Sequence, residues 1–397
     1  MALKIEGSNP SVHPSTLLRF GGRRNHAVQM PLPSSCSQLQ LQPSDGTLPV
    51  VPLHATTGAL RRLALAVLLI LLPGALAVAC GGGDTAPASD GETASTIRVV
   101  TTVSPIRNII ENVGGDRVSV TAIVPEGTNS HTFEPAPSVA QDIARADLIV
   151  ANGLNLELPA LELAEANRRD GVEIVLLGEA TVTPDEYVYD FSFPRDGGDP
   201  NPHLWTDPIL AGEYAAHVRD ALTRLDPDNA SYYADNTAAF VARLQQLDEA
   251  IREAVATVPE AQRVLLTYHD SFPYFAPRYG FTIIGAIQPS DFSEPSPREV
   301  ADLIKQIRAS GAPAIFGSEV FPSEVLDTIA SEAGAVQVAT LRDDDLPGDR
   351  GDPENTYLAM MVENVRTIVT SLGGDASPLD GFDVSLSWIP FEEHAGG

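Results

Sequence analysis

Short apolar runs alternate with helix-length segments in two separate stretches of this chain, and that alternation constrains the fold more than any single motif. In the first stretch "TIRVVTTV" (96–103) reads as a strand and "PIRNIIENVGG" as a helix, opened by proline and closed at glycines. "VSVTAIVP", "DLIVANG" and "EIVLLG" then read as strands, with "PSVAQDIARA" and "LPALELAEANR" as the helices between them. The pattern restarts at "RVLLTY" and runs through "FAPRYG", "FTIIGAI", "SPREVADLIKQIRASG", "PAIFGS", "SEVLDTIASEAG" and "VQVATL" to "NTYLAMMVENVRTIVTSLGG". Strands alternating with helices of this length indicate parallel βαβ units.

Helical periodicity dominates between the two stretches, from Pro208 to Val258, broken at "LDPDN". The piece beyond the break has roughly thirty residues, about 45 Å at 1.5 Å per residue, long enough to span a whole domain. The expected fold is α/β: two lobes with parallel sheets flanked by helices, joined by a single long helix. The boundaries are 96–212 for the first lobe, 213–260 for the helical linker and 261–375 for the second lobe. The tail 376–397 has no clear assignment.

What precedes residue 96 reads as export machinery. Arg61-Arg62 is followed by an apolar run from Leu63 to Ala79 that ends at Cys80, then "GGGD". A positive flank, an apolar stretch and small residues before a cut site describe a signal segment (59–80). A cysteine in that place resembles a lipoprotein processing site, at which the lipid would anchor the chain to the membrane through Cys80. The alternative is an uncleaved anchor helix. Residues 81–95 are small and polar and read as a flexible tether. Residues 1–58 lack lasting periodicity and do not conform to a signal peptide; a start codon assigned too far upstream accounts for them. Either way the rest of the chain lies outside the cytoplasm. Of the two cysteines, Cys36 and Cys80, neither falls beyond residue 80, so disulfides and thiolate metal sites are excluded from the folded part.

Lys plus Arg number 25 against 53 Asp plus Glu, a net charge of −28, which argues against nucleic-acid binding. Of eight histidines, His13, His26 and His54 precede the signal segment and His394 lies in the extreme tail. His217 sits in a helical run and reads as a helix-face residue. The other three fall where strands end: His131 past "VSVTAIVP", His269 at the end of "RVLLTYHD", and His203 in "NPHLWTDP", the loop before a helix. In parallel α/β sheets ligands bind outside the carboxyl ends of strands. Asp343, Asp344 and Asp345, just past "VQVATL", meet the same test. Imidazoles with a carboxylate and no thiolate suit a borderline divalent cation such as zinc, and more carboxylate would favour manganese or magnesium. In "NPHLWTDP" Pro202 restricts the backbone beside His203, Asp207-Pro208 form an N-cap and first-turn pair, and Trp205 packs beneath the loop.

With those residues in view, "TTVSPIRNIIENVGGDRVSVTAIVPEGTNSHTFEPAPS", "NPHLWTDP", "VLLTYHDSFPYFAPRYGF" and "NTYLAMMVENV" resemble the solute-binding proteins of zinc and manganese ABC transporters, with every motif in order from about Ile97 to Leu372. The resemblance implies a metal held between two lobes, a rigid linking helix and delivery to an ABC permease in the cytoplasmic membrane. It implies no catalytic residue and no enzyme activity. Carried over, the ligands fall on His131, His203, His269 and Asp344, with Asp343 and Asp345 flanking the last register. His269 is a position that is histidine in many zinc-type members and glutamate in many manganese-type ones. Asn129-Ser130 and Asn201-Pro202 stand where the family usually has Asp-Pro. The interval Gly178 to Pro202 contains no histidine, although many zinc members carry a histidine-rich loop there.

Three imidazoles and one carboxylate leave a divalent ion with a net charge of about +1 and favour Zn2+ over Mn2+. A metallohydrolase is the first rival; it would need an open coordination position, and no HExxH is present. A surface adhesin lipoprotein is the second. Glu134 and Glu319 are expected to cap or support the site, and the chain is expected to act as a monomer.

Overall fold

The computed structural model describes residues 96–391, apart from 322–323 and 335–336, together with His394. Cys80, the signal segment and the tether lie outside the described residues.

The first half begins with β1 (Ile97–Thr101), α1 (Ser104–Gly114) and β2 (Val118–Ala122). It continues through α2 (Val139–Arg145), β3 (Leu148–Ala151), α3 (Leu158–Asn167), β4 (Glu173–Leu176) and α4 (Leu177–Thr181). Two longer helices follow, α5 (Pro208–Leu225) and α6 (Ala230–Ala256). The second half runs through β5 (Val264–Thr267), α7 (Phe275–Tyr279), β6 (Thr282–Ala286), α8 (Pro297–Ser310), β7 (Ala314–Ser318), α9 (Val325–Ala333), β8 (Gln337–Leu341) and α10 (Tyr357–Ser371). Each half forms a four-stranded parallel sheet, in the order β2-β1-β3-β4 and β6-β5-β7-β8. The two orders are equivalent, so each sheet places its first strand inside, where the chain direction of strand addition reverses. Such a switch point opens a crevice at the carboxyl ends of the strands.

Strand alternation divides the core. Val99, Leu148, Val150, Leu265, Ala314 and Phe316 face one large cluster that also takes in α5, α6 and α10. The neighbouring residues Val100 and Ile149 face a small outer cluster under α2 and α3, and Leu266 and Ile315 face another under α8 and α9. Successive side chains on a strand point to opposite faces, so runs buried on both sides are what a sheet between two helical layers requires. The large cluster is shared by both sheets. Helix α6, 27 residues long and so about 40 Å, buries Tyr233, Phe240, Leu244, Leu247, Ile251 and Ala254 at spacings of three to seven, along one face.

Strand β4 stops at Leu176, because Leu177 and Gly178 of the expected strand "EIVLLG" open α4 instead. The tail from Gly381 to Phe391 has a definite course. Its backbone donates from Ser387 to Asn112 Oδ1 on α1 and from Ile389 to Asn236 Oδ1 on α6, both at 2.9 Å. These two buried asparagines are satisfied by the tail, which gives that segment its place without regular structure of its own.

Candidate metal centre

His131 lies in the loop between β2 and α2, His203 just before α5, and His269 two residues past β5. Their Nε2 atoms form a triangle with sides of 3.1 Å (131 to 269), 3.2 Å (269 to 203) and 3.4 Å (131 to 203). Among the described residues these three form a group whose ligand atoms all lie within 4.8 Å of one another. Asp344 stands outside that group. His217 is half-buried on α5, as its helical setting led us to expect, and Glu134 is exposed.

Local structure fixes two of the rings. Asn201 Oδ1 accepts from the His203 backbone N–H at 3.0 Å and lies 2.8 Å from His203 Nδ1. The orientation of the amide is set by its nitrogen, which donates to Asp190 Oδ2 at 2.8 Å and to the Asp270 carbonyl at 2.5 Å. An amide oxygen only accepts, so His203 carries its proton on Nδ1 and leaves the Nε2 lone pair free. Gln288 does the same for His269: its Oε1 is 2.8 Å from Nδ1, while its Nε2 donates to the Phe292 carbonyl at 3.3 Å. Trp205 is fully buried with its ring 5.0 Å from that of His203, and its Nε1 donates to the Asp343 carbonyl at 2.8 Å. Asp207 caps α5 by accepting from the Ile209 N–H at 2.9 Å, with Pro208 in the first turn. Structure therefore holds the loop as "NPHLWTDP" suggested.

Electrostatics keep the rings neutral. Burial holds His131 and His203 well below the usual imidazole range, and the neighbouring imidazoles add to the effect. Burial lowers His269 as well, against the opposing pull of Asp343 and the Gln288 hydrogen bond. The Nε2 lone pairs of His203 and His269 converge with the neutral ring of His131 on one point, an arrangement that suits a divalent cation.

The three consecutive aspartates divide their work. Asp343 is taken up by hydroxyls, Ser318 donating to Oδ1 at 2.8 Å and Ser271 to Oδ2 at 2.6 Å. Asp345 Oδ2 accepts from the Gly127 N–H at 2.5 Å. Asp344 Oδ2 accepts from Ser130 Oγ at 2.6 Å and from the Ser130 N–H at 3.3 Å, whereas its Oδ1 is buried and accepts nothing from the described residues. Burial and the adjacent Asp343 push the Asp344 carboxyl well above its ordinary range. Behind all three, Glu319 Oε1 accepts from the N–H groups of Asp343, Asp344 and Asp345 at 2.9–3.1 Å, the supporting role expected of it.

The sequence reading did not single out Gln288, Phe193 or Phe292. Gln288 lies two residues past β6, on the same strand-end rim as the histidines, and that position was the available signal.

Residues 99–371, more than half of the chain, match the family model described as ZnuA, zinc-uptake complex component A periplasmic. The chain is 34% identical over 304 residues to the manganese-binding lipoprotein MntA of Halalkalibacterium halodurans, covering 77% of this chain and 97% of that protein. It is 28% identical over 315 residues to the metal ABC transporter substrate-binding lipoprotein FimA of Streptococcus parasanguinis, covering 78% and 97% respectively. The solved structure of the periplasmic zinc binding protein TroA from Treponema pallidum superposes with a TM-score of 0.64 at 28% identity, covering 70% of this chain and 99% of that one. With its fold and most of its length matched in this way, the chain belongs to the ZnuA family.

Proposed function

We propose that this protein is an extracytoplasmic solute-binding protein that captures a divalent transition metal ion and hands it to an ABC-type permease. His131, His203, His269 and Asp344 serve as ligands and zinc is the favoured cargo. The triangle of Nε2 atoms carries the reading. A tetrahedral zinc ion with bonds of about 2.0–2.1 Å separates its nitrogen ligands by about 3.3–3.4 Å, close to the spacing of 3.1–3.4 Å found here. The fourth ligand is the aspartate with a spare oxygen: of the carboxylates past β8, Asp344 combines a buried, unpartnered Oδ1 with a hydrogen bond to Ser130, the residue beside His131. Its negative charge, costly when buried alone, is offset once a cation is bound.

A filled sphere of four protein ligands suits capture and transport rather than hydrolysis, which requires an open position. Manganese is the second reading, favoured by the name of the relative MntA. The same relatives are named lipoproteins, in keeping with a lipid on Cys80 that tethers the chain to the outer face of the cytoplasmic membrane. Among the described residues no helix is long and apolar enough to cross a membrane. X-ray absorption of the zinc-loaded protein tests the ligand set. Three imidazole nitrogens and one oxygen are expected, with the oxygen replaced in Asp344→Ala by water or by nothing. An unchanged spectrum and affinity in that variant would remove Asp344 from the set.

A further inference from the structure

Two phenylalanines that contribute no ligand lie over the histidine triangle, one from each half of the chain. Phe193 belongs to the histidine-free interval before His203, and its ring centroid lies 5.5, 5.8 and 6.0 Å from those of His131, His203 and His269. Phe292, between β6 and α8, stacks on His131 with centroids 4.6 Å and planes 20° apart. It meets Phe193 edge-on at 6.1 Å.

The Phe292 backbone sits at φ 59°, a left-handed conformation that a bulky side chain adopts only when its surroundings hold it there. Gln288 is what holds it. One end of that side-chain amide accepts from His269 and the other donates to the Phe292 carbonyl, and the Phe292 N–H is bonded to the Pro289 carbonyl at 3.0 Å. The Gln288 carbonyl in turn accepts from Ser192 Oγ at 3.4 Å, one residue before Phe193. A single residue thus joins a histidine of the triangle to both aromatic segments. Against the same rings lies a cavity of about 260 Å³, lined by His131, Asn155, Ser192, Phe193, Asp199 and Phe292. It has room for several waters and polar groups to meet them.

We propose that Phe193 and Phe292 form a two-leaf aromatic cover over the metal site, with Gln288 as the positioning residue that ties its closure to His269. This rests on the metal-capture reading given above. A hydrated cation would lose water in this cavity and pass the leaves to reach the imidazoles, and the leaves would then exclude water from the bound ion. Exclusion of water strengthens the attraction between ion and ligands and slows exchange. The cover therefore sets the rates of entry and departure, and the ligands set the affinity.

Zinc release from the full-length protein into an excess of a chromogenic chelator, followed by stopped flow, tests this. Phe193→Ala and Phe292→Ala are expected to release zinc about tenfold faster, near the upper end of what one aromatic contact contributes. Uptake should accelerate too, so that affinity changes less than either rate. Phe292→Tyr keeps a ring and should return the rates to near the parent's. Gln288→Glu keeps the acceptor for His269 but loses the donor to the Phe292 carbonyl, and its uptake should accelerate as in the alanine variants. Unchanged rates in the alanine variants of a protein that binds zinc would overturn the cover and leave metal capture standing. A parent protein that takes up neither zinc nor manganese would overturn both.

Discussion

Ser130 Oγ donates to Asp344 Oδ2 at 2.6 Å, and this one bond links the loop that carries His131 to the loop that follows the last strand of the second sheet. It leaves Asp344 Oδ1 as the buried oxygen without a partner. A ligand oriented by a neighbour loses affinity when that neighbour is removed, typically by about 10–100-fold. Ser130→Ala is therefore expected to weaken zinc binding by about that factor, and Asp344→Ala by more, in competition titrations against a chelator. Equal affinities for the parent and Ser130→Ala would show that the bond does not orient the carboxylate.

Asn201 tests the tautomer argument. Its amide oxygen is the acceptor that places the His203 proton on Nδ1. Asn201→Leu removes the acceptor without removing the ligand, and zinc affinity should fall by about 10–100-fold. Asn201→Asp keeps an acceptor but loses the bonds donated to Asp190 and the Asp270 carbonyl, so it should recover only part of the loss. Unchanged affinity in Asn201→Leu would show that the acceptor does not orient His203.

The pH dependence of binding has a sign that the buried groups dictate. Burial lowers the three histidines, so they are already neutral at their ordinary pKa of about 6.5 and begin to compete for protons only at lower pH. Burial raises Asp344, so in mild acid the metal must displace a proton from that carboxyl. Affinity should hold as pH falls through about 6.5 on the histidines' account, and the first loss should come from Asp344. Calorimetry in buffers of different ionisation enthalpy counts the proton released. Asp344→Asn should abolish that release, and a release that persists in this variant would assign the proton to another group.

Glu319 supports the aspartate run from behind, accepting three successive backbone N–H groups. Its burial and the nearby Asp343 push its carboxyl well up, so its acceptor oxygen matters more than its charge. Glu319→Gln keeps an oxygen there and should be close to neutral in denaturant melts. Glu319→Ala orphans buried donors and is expected to cost on the order of 3 kcal/mol. Comparable losses in both variants would make the charge the important feature.

Much of this was legible in the sequence because it is written locally. The strands and helices announce themselves through periodicity and through proline and glycine at their ends, and "NPHLWTDP" carries its own cap and its own rigid backbone. The three histidines could be placed together because each follows a strand or opens a helix on the rim where parallel sheets bind ligands. Asp343, Asp344 and Asp345 could not be told apart in the same way. Their roles are set by Ser271, Ser318, Gly127 and Ser130, hydroxyls and an N–H brought in from distant segments. Gln288 and Phe292 were invisible for a related reason: an amide two residues past a strand and a phenylalanine at φ 59° have no local pattern. The tail had none either, since its place comes from Asn112 and Asn236 on helices far away in the chain.

The most direct test of metal capture by the histidine triangle is a titration of the metal-stripped protein with zinc, followed by manganese in competition. One tight zinc site per chain, lost in His203→Ala and retained against excess manganese, is the predicted result. Manganese that displaces zinc would move the cargo to manganese. The absence of a tight site for either ion would contradict the account, leaving the triangle of imidazoles a feature of the fold alone.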